Sequence, residues 1–330
     1  MNELVFWNGK KILVTGGLGF IGSNLALRLL ELGAEITIYD CLDPRSGGNM
    51  PNIGDNRDSF KILVNDIRNF EALSNAAMGI DIIFNCAAYT SHPNSMKDPF
   101  NDIEVNCKGV MNLCEACRRF NPNVKIIHVG TSTQIGKMIK EPIDELHPEF
   151  PVDIYSANKT ASEKYVLIYG SAYGMRTSVV RLANTFGPRS NISTPDFGFM
   201  NYFIGLGLKH RGIPVFGDGM QKRNINYVGD AVEALIVAGA SEKADGEVFF
   251  AAADRQYTVM EVAEAITERI GGKINRIPWP RERETIEIGD AVISNQKIRD
   301  ILGWQPKIEL NHGLDLTREY YISRLEKYLA

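Results

Sequence analysis

The 330-residue chain has no apolar run of about 18 residues, the length that reads as a membrane-spanning helix. Its opening residues, MNELVFWNGKK, carry no basic stretch followed by an apolar one, so no signal peptide is expected. A cytoplasmic location with no membrane partner is the expectation. Cysteine is scarce. The five present cannot all pair with one another, and nothing points to an oxidising compartment. Cys114-x-x-Cys117 lies in an amphipathic run, Val110–Phe120, and no second ligand pair is spaced for zinc, so no metal site is expected. A basic excess is lacking too: 36 Lys and Arg face 40 Asp and Glu, which argues against nucleic acid as a partner. There is no internal repeat or low-complexity tract.

What the chain does have is a rhythm. Short Val- and Ile-rich runs are expected as strands at Lys11–Thr15, Glu35–Asp40, Phe60–Asp66, Asp81–Ala87, Val124–Val129 and Thr177–Leu182. They are apolar on both parities, as strands covered on both faces must be. Helical patterns lie between them at Ile21–Leu32, Asn69–Met78, Asp102–Phe120 and Ile154–Tyr173. This alternation implies an α/β fold, a doubly wound parallel sheet of the Rossmann type. After Leu182 the rhythm breaks. Gly187–Gly219 is rich in Gly, Pro and aromatics, with one helix near Met200–His210. A helix at Asp230–Ala240, a strand at Glu247–Ala251 and helices at Val259–Ile270, Gln296–Leu302 and Leu314–Tyr328 complete the pattern.

The first strand runs directly into Thr15-Gly16-Gly17-Leu18-Gly19-Phe20-Ile21-Gly22, which opens a helix. Gly16, Gly19 and Gly22 supply a tight turn, a backbone that a pyrophosphate can approach, and close helix–strand packing. The helix N-terminus offers free N–H groups and partial positive charge to the phosphates. Asp40, ending the second strand, sits where a carboxylate accepts hydrogen bonds from an adenosine ribose. It would repel a 2′-phosphate, so the cofactor expected is NAD rather than its phosphorylated form. Asp66, ending the third strand before Ile67, is placed to meet an adenine amine. Residues 1–182 are therefore expected to form the NAD-binding domain, with segments near 217–253 returning to it. Residues 183–330 would form mainly a smaller, irregular substrate-binding lobe.

Tyr155 and Lys159 are four residues apart in a helical stretch, so they share one face. A phenol with a pKa near 10 is a poor base at neutral pH. A neighbouring ammonium and a positive nicotinamide ring are expected to lower that pKa and make Tyr155 a general base for a sugar hydroxyl. A third group belongs at the C-terminal end of the fifth strand, where open α/β sheets place ligands. Three hydroxyls stand there, Thr131, Ser132 and Thr133, and spacing does not choose among them.

These residues resemble the extended short-chain dehydrogenase/reductase superfamily, in particular its NAD-dependent nucleotide-sugar epimerase/dehydratase branch. The likeness runs through TGGLGFIG, Asp40, Asp66-Ile67, Cys86-Ala87-Ala88, Asn106, Tyr155/Lys159, the run Arg181–Pro188, Gly217-Asp218-Gly219, Arg223, Tyr227–Asp230 and Leu302–Pro306. The resemblance implies that Phe20 and Ile21 offer N–H groups to the pyrophosphate, that Ala87 and Ala88 line the cofactor, and that Asn106 supports the site's backbone. It further implies that Asn184 meets the phosphates or sugar, that Arg223 and Arg283 pair with diphosphate oxygens, and that Thr131 is the catalytic hydroxyl, with Ser132 in reserve. The substrate implied is a nucleoside-diphosphate sugar and the assembly a homodimer, formed through Asp102–Phe120 and Ile154–Tyr173.

Two departures stand out. Gln134-Ile135-Gly136 replaces the family's usual Tyr-Gly closure of the loop, and Ser132 and Thr133 stand where 4,6-dehydratases carry an Asp-Glu pair or at least a glutamate. Without a carboxyl there, elimination of water lacks its proton carrier, which favours epimerisation of the UDP-glucose/UDP-galactose 4-epimerase type. A CDP-sugar 2-epimerase, a dehydratase or decarboxylase, and a non-catalytic NAD-binding sensor or scaffold are the competing readings.

Overall fold

The computed structural model describes residues 3–43 and 45–328; Met1 and Asn2 of the opening segment lie outside them. The strands are β1 (Lys11–Thr15), β2 (Glu35–Asp40), β3 (Lys61–Val64), β4 (Ile82–Asn85), β5 (Lys125–Thr131) and β6 (Arg176–Leu182), followed by β7 (Asn184–Phe186), β8 (Gly212–Phe216), β9 (Lys222–Tyr227), β10 (Val248–Ala251), β11 (Gln256–Thr258) and β12 (Lys273–Ile277). Seven of them form one sheet in the order β10-β6-β5-β4-β1-β2-β3, and every pair in it is parallel. The chain winds outward from β1 through β2 to β3, then returns to β4 on the other side. The crevice at that reversal is where such sheets take ligands.

Alternation along each strand divides the core. Ile12 and Val14 of β1, Phe84 of β4 and Ile127 of β5 join a cluster with Leu25, Leu29 and Leu235 from the helices Phe20–Glu31 and Val228–Ala240. Leu13, Ile83 and Ile126, from the intervening positions, pack with Leu113, Cys114, Cys117 and Val166 on the opposite face. Both cysteines of the Cys-x-x-Cys pair are thus core residues, and burial pushes both thiols up. A third cluster, with Phe203, Ile204, Val215, Ile266 and Leu314, builds the smaller lobe. No described helix is long and apolar enough to cross a membrane.

The structure corrects several expected elements. Asp102–Phe120 is not one α-helix. An α-helical turn, Pro99–Ile103, leads into a π-helical segment, Glu104–Gly109, and then the α-helix Val110–Phe120. The widened turn carries Asn106, whose amide faces inward onto the Tyr89 peptide. The last helix spans Leu310–Ile322 rather than Leu314–Tyr328, with a 3₁₀ turn at Leu325–Tyr328. Its early start seats Leu310 in the third cluster, and Tyr320, Tyr321 and Tyr328 close its end edge to face. The strands β7, β8, β9, β11 and β12 lie outside the expected set. β9 reads KRNINY, without an apolar run, and is held by long-range pairing to β7 and β11.

A buried ion network ties β6 to the helix Ile154–Tyr173. The Arg181 side chain is 1% exposed and donates through Nε and Nη2 to the two oxygens of Glu163 at 2.8 and 2.6 Å, and also to Glu149. Gln134 joins it, donating to Glu163 at 2.8 Å. Removing the buried Arg181 leaves Glu163 and Glu149 with only the half-exposed Lys164, at 3.0 and 2.9 Å, as a cationic partner, and breaking a buried pair costs up to about 3–5 kcal/mol. Arg181→Met is expected to lower the urea midpoint accordingly with an unchanged slope.

Candidate active site

The glycine-rich turn is dictated by contact distances. Gly16 has φ +65°, and a Cβ there would lie 2.8 Å from the backbone of Ala87. A Cβ on Gly22 would lie 2.2 Å from the Gly16 carbonyl oxygen. The helix Phe20–Glu31 begins at Gly19 with no side chain capping its first N–H groups. Those donors face a single cavity of about 740 Å³ at the carboxyl end of the sheet. Asp40, 6% exposed, accepts from the N–H groups of Leu18 at 2.9 Å and Leu42 at 2.8 Å. Burial pushes its carboxyl up, and those two hydrogen bonds oppose the rise.

The same cavity reaches the second lobe. Its wall includes Gly16, Gly19, Phe20, Ile21, Gly22, Asp40, Asp66, Ile67, Ala87 and Ala88 at one end. Thr131, Ser132, Tyr155 and Lys159 lie along it, as do Asn184, Arg223 and Arg283. Tyr202, Phe216 and Trp279 line it from the smaller lobe. Asn106 stands behind the wall rather than in it. It is 1% exposed and clamps the Tyr89 peptide, donating to its carbonyl at 2.8 Å and accepting from its N–H at 3.0 Å.

Tyr155 and Lys159 project from the first turns of the helix Ile154–Tyr173, whose N-cap, Asp153, accepts from the Ser156 N–H at 2.8 Å. Lys159 is 3% exposed; its Nζ donates to the Val129 carbonyl at 2.7 Å and lies 3.2 Å from His128 Nε2. Burial pulls this ammonium down to about 8. Burial, with the Lys159 charge adding to it, holds His128 well below its ordinary value and so neutral. Tyr155 is 8% exposed, and of the three candidate hydroxyls Thr131 is the one whose proximity favours its ionised form.

Contrary to expectation, the phenol lies well above its ordinary value. Burial is the largest cause, the Asp102 and Asp153 carboxylates add to it, and only the nearby Thr131 hydroxyl opposes. Lys159, committed to Val129 and His128, does not offset this. Two further placements differ from the simplest picture. Asp66 is held by a fork from Arg68, with Nε at 2.9 Å and Nη2 at 2.7 Å, which draws its carboxyl down against its burial. Arg223 pairs with Glu287 at 2.5 Å and also donates to the Gly289 carbonyl, whereas Arg283 forms no ion pair among the described residues. The atypical loop closes through Gly136, φ +69°, where a Cβ would sit 1.9 Å from the Phe150 carbonyl oxygen, and through the buried Ile135.

Sequence reasoning missed His92. It lines the cavity beside Tyr155, ring centroids 4.9 Å apart, and bonds Asp153 at 2.8 Å. Asp153 three residues ahead of Ser156 was the readable signal, since an acid there caps a helix; no local pattern brings His92 to it.

The profile of the NAD dependent epimerase/dehydratase family matches residues 12–252. The chain is 31% identical over 318 residues to a UDP-glucose 4-epimerase of Mycolicibacterium smegmatis, covering 94% of this chain and 98% of that one. It is 29% identical over 323 residues to a UDP-N-acetyl-alpha-D-glucosaminuronate decarboxylase of Bacillus cytotoxicus, covering 94% and 98%. The crystal structure of a UDP-glucose 4-epimerase from Thermotoga maritima with UDP-glucose is similar at a TM-score of 0.85 and 29% identity, covering 95% of this chain and 99% of that one.

The depressed Lys159 has a measurable consequence. From about pH 8 to its ordinary value of 10.5, the unfolded chain binds a proton at this lysine that the folded chain has released. Stability contributed by the group therefore rises with pH across that window. The unfolding free energy of the wild type minus that of Lys159→Met is expected to increase from pH 8 to 10.5 in urea titrations.

Proposed function

We propose, on the premise that this chain belongs to the NAD dependent epimerase/dehydratase family, that it inverts a hydroxyl-bearing carbon of a nucleoside-diphosphate sugar, in the manner of UDP-glucose/UDP-galactose 4-epimerisation. The observation that carries the reading is one cavity joining the glycine-rich turn to Tyr155, Thr131 and Lys159.

The residues present fit NAD. The uncapped helix N-terminus supplies the Phe20 and Ile21 amides for a pyrophosphate. Asp40 has lone pairs beyond those used by Leu18 and Leu42 for ribose hydroxyls. Ala87 and Ala88 leave room beside the turn, Asn106 fixes the backbone there through Tyr89, and Asp66 with Ile67 borders the adenine end. When bound, NAD would supply a hydride acceptor, and later a hydride donor, for the sugar carbon. Tyr155 removes the hydroxyl proton from that carbon's oxygen and later restores it, Thr131 holds the same oxygen, and Lys159 supports the phenolate. Ser132 and Asn184 contact the sugar and phosphates. Arg283 is free to meet a diphosphate, and Arg223 joins it by exchanging Glu287 for phosphate oxygens. Tyr202, Phe216 and Trp279 supply apolar and aromatic surface for the base.

Epimerisation is favoured over elimination because neither residue after Thr131 is acidic. The similarity to a decarboxylase makes a uronic-acid substrate the second reading. Incubation with UDP-, CDP-, dTDP- and GDP-sugars, uronic acids included, with products identified by NMR, tests the assignment. Interconverted C4 epimers of a UDP-hexose support it, whereas a pentose product, a dehydrated keto-sugar or a C2 epimer replaces it, and no turnover with NAD bound favours a sensor. Tyr155→Phe is expected to lower kcat by about 10²–10⁴-fold while retaining NAD.

The homodimer proposal rests on exposed apolar side chains on the paired helices. Ile168 is 53% exposed and Tyr173 56%, with Phe100 and Ile103 on the adjoining turn also open. Light scattering is expected to give twice the 36.7 kDa chain mass, and Ile168→Glu to give the monomer.

A further inference from the structure

The segment after β7 reaches across the cavity through one short turn, Pro195–Phe197. Two contacts pin that turn to the loops that follow β4 and β2. The Ser91 hydroxyl donates to Asp196 Oδ1 at 3.1 Å, and the Phe197 ring lies against Gly47, where a Cβ would sit 3.2 Å from the ring. Thr194 holds the other carboxylate oxygen, donating to Oδ2 at 3.0 Å. Ser91 is itself tied to the proposed base. It caps the helix His92–Lys97, whose Ser95 hydroxyl accepts from the Tyr155 N–H at 3.0 Å and whose His92 ring packs on the Tyr155 ring. One short helix therefore fixes Asp196, in the cavity wall, relative to Tyr155. Each Asp196 oxygen accepts one hydrogen bond and keeps a lone pair for a further donor.

The charges along this wall are unequal. Among the described residues, its Lys and Arg are Arg68, Lys159, Arg223 and Arg283. Arg68 is forked onto Asp66, and Lys159 is committed to Val129 and His128. Arg223 and Arg283 are the two assigned above to the diphosphate. His92 bonds Asp153 at 2.8 Å, so even a protonated ring is matched by a carboxylate. Asp196 forms no ion pair among the described residues, and its neighbours on the wall, Thr131, Ser132 and Asn184, are uncharged. A neutral sugar can donate a hydroxyl to it. A sugar carboxylate would find no free cation and would face a like charge, which weakens binding.

We propose that Asp196 selects the substrate class: it accepts a hydroxyl of a neutral sugar and turns away a uronic acid. This rests on the reading of the cavity as a nucleoside-diphosphate-sugar site, and it counts against the uronic-acid alternative. Asp196 is a specificity residue and moves no proton in the reaction.

The test is calorimetric binding of UDP-glucose and UDP-glucuronic acid, or the same pair on the nucleotide the sugar panel identifies, to NAD-loaded enzyme. The wild type is expected to bind the neutral sugar at least about tenfold more tightly, with the gap narrowing as salt is raised. Asp196→Asn keeps an acceptor for Ser91 and removes the charge. It is expected to bring the two affinities within about threefold, mainly by tightening the uronate. A wild type that binds the uronate as tightly as the neutral sugar overturns the proposal, and so does a ratio that Asp196→Asn leaves unchanged. The salt dependence needs no variant, and a salt-independent ratio overturns it too. Product analysis separates this from the epimerase reading. C4 epimers formed efficiently from a uronate sink the selection and leave epimerisation standing. A neutral sugar preferred by the wild type but returned dehydrated does the reverse. A protein that binds no member of the panel removes the reading of the site, and the selection with it.

Discussion

A single hydrogen bond, from the Lys159 ammonium to the Val129 carbonyl at 2.7 Å, fixes the relation between the helix Ile154–Tyr173 and the end of β5. Everything at the site inherits that relation. It sets Tyr155 against Thr131, and it brings Lys159 to His128, which continues through Asn85 at 2.9 Å to Thr15 at 2.6 Å. This polar row crosses β5, β4 and β1 and ends beside the glycine-rich turn. Buried polar groups of this kind are stabilising only when each finds a partner. The row therefore couples the position of the proposed base to the turn proposed to hold the cofactor.

The sheet was legible in the sequence because its strands are local apolar runs whose two parities face two real cores. Ile12 and Leu13 are adjacent and enter opposite clusters. The glycine-rich turn was legible for a different reason: Gly16 and Gly22 touch backbone at distances no side chain survives. What escaped reading is what depends on distant partners. β9 is polar and exists because β7 and β11 bracket it. The π-helical segment at Glu104–Gly109 answers to the Tyr89 peptide, 17 positions before Asn106. His92 and Asp153 meet across 61 positions, and no spacing rule signals such a pair.

The electrostatics refine the chemical picture more than the fold does. Spacing alone suggested that Lys159 acidifies Tyr155, because four residues on a helix bring the two onto one face. The same burial that brings them together removes the water that would solvate a phenolate, and Asp102 and Asp153 add negative charge. Burial acts on Lys159 as well, drawing its ammonium down to about 8, so that its charge begins to be lost only above neutral pH. A phenol and an ammonium that each disfavour their charged forms do not make a self-sufficient base.

The protein's own charges thus oppose ionisation of Tyr155, and what offsets them must arrive with the ligands. A positive nicotinamide ring would supply such a contribution, since a nearby positive charge favours the phenolate. On this view the carboxylates that raise the phenol are not a defect of the site. Asp153 opposes ionisation of Tyr155 and, as N-cap, also holds the start of the helix that carries it. A base built this way is disfavoured by the protein alone and favoured as the cavity fills.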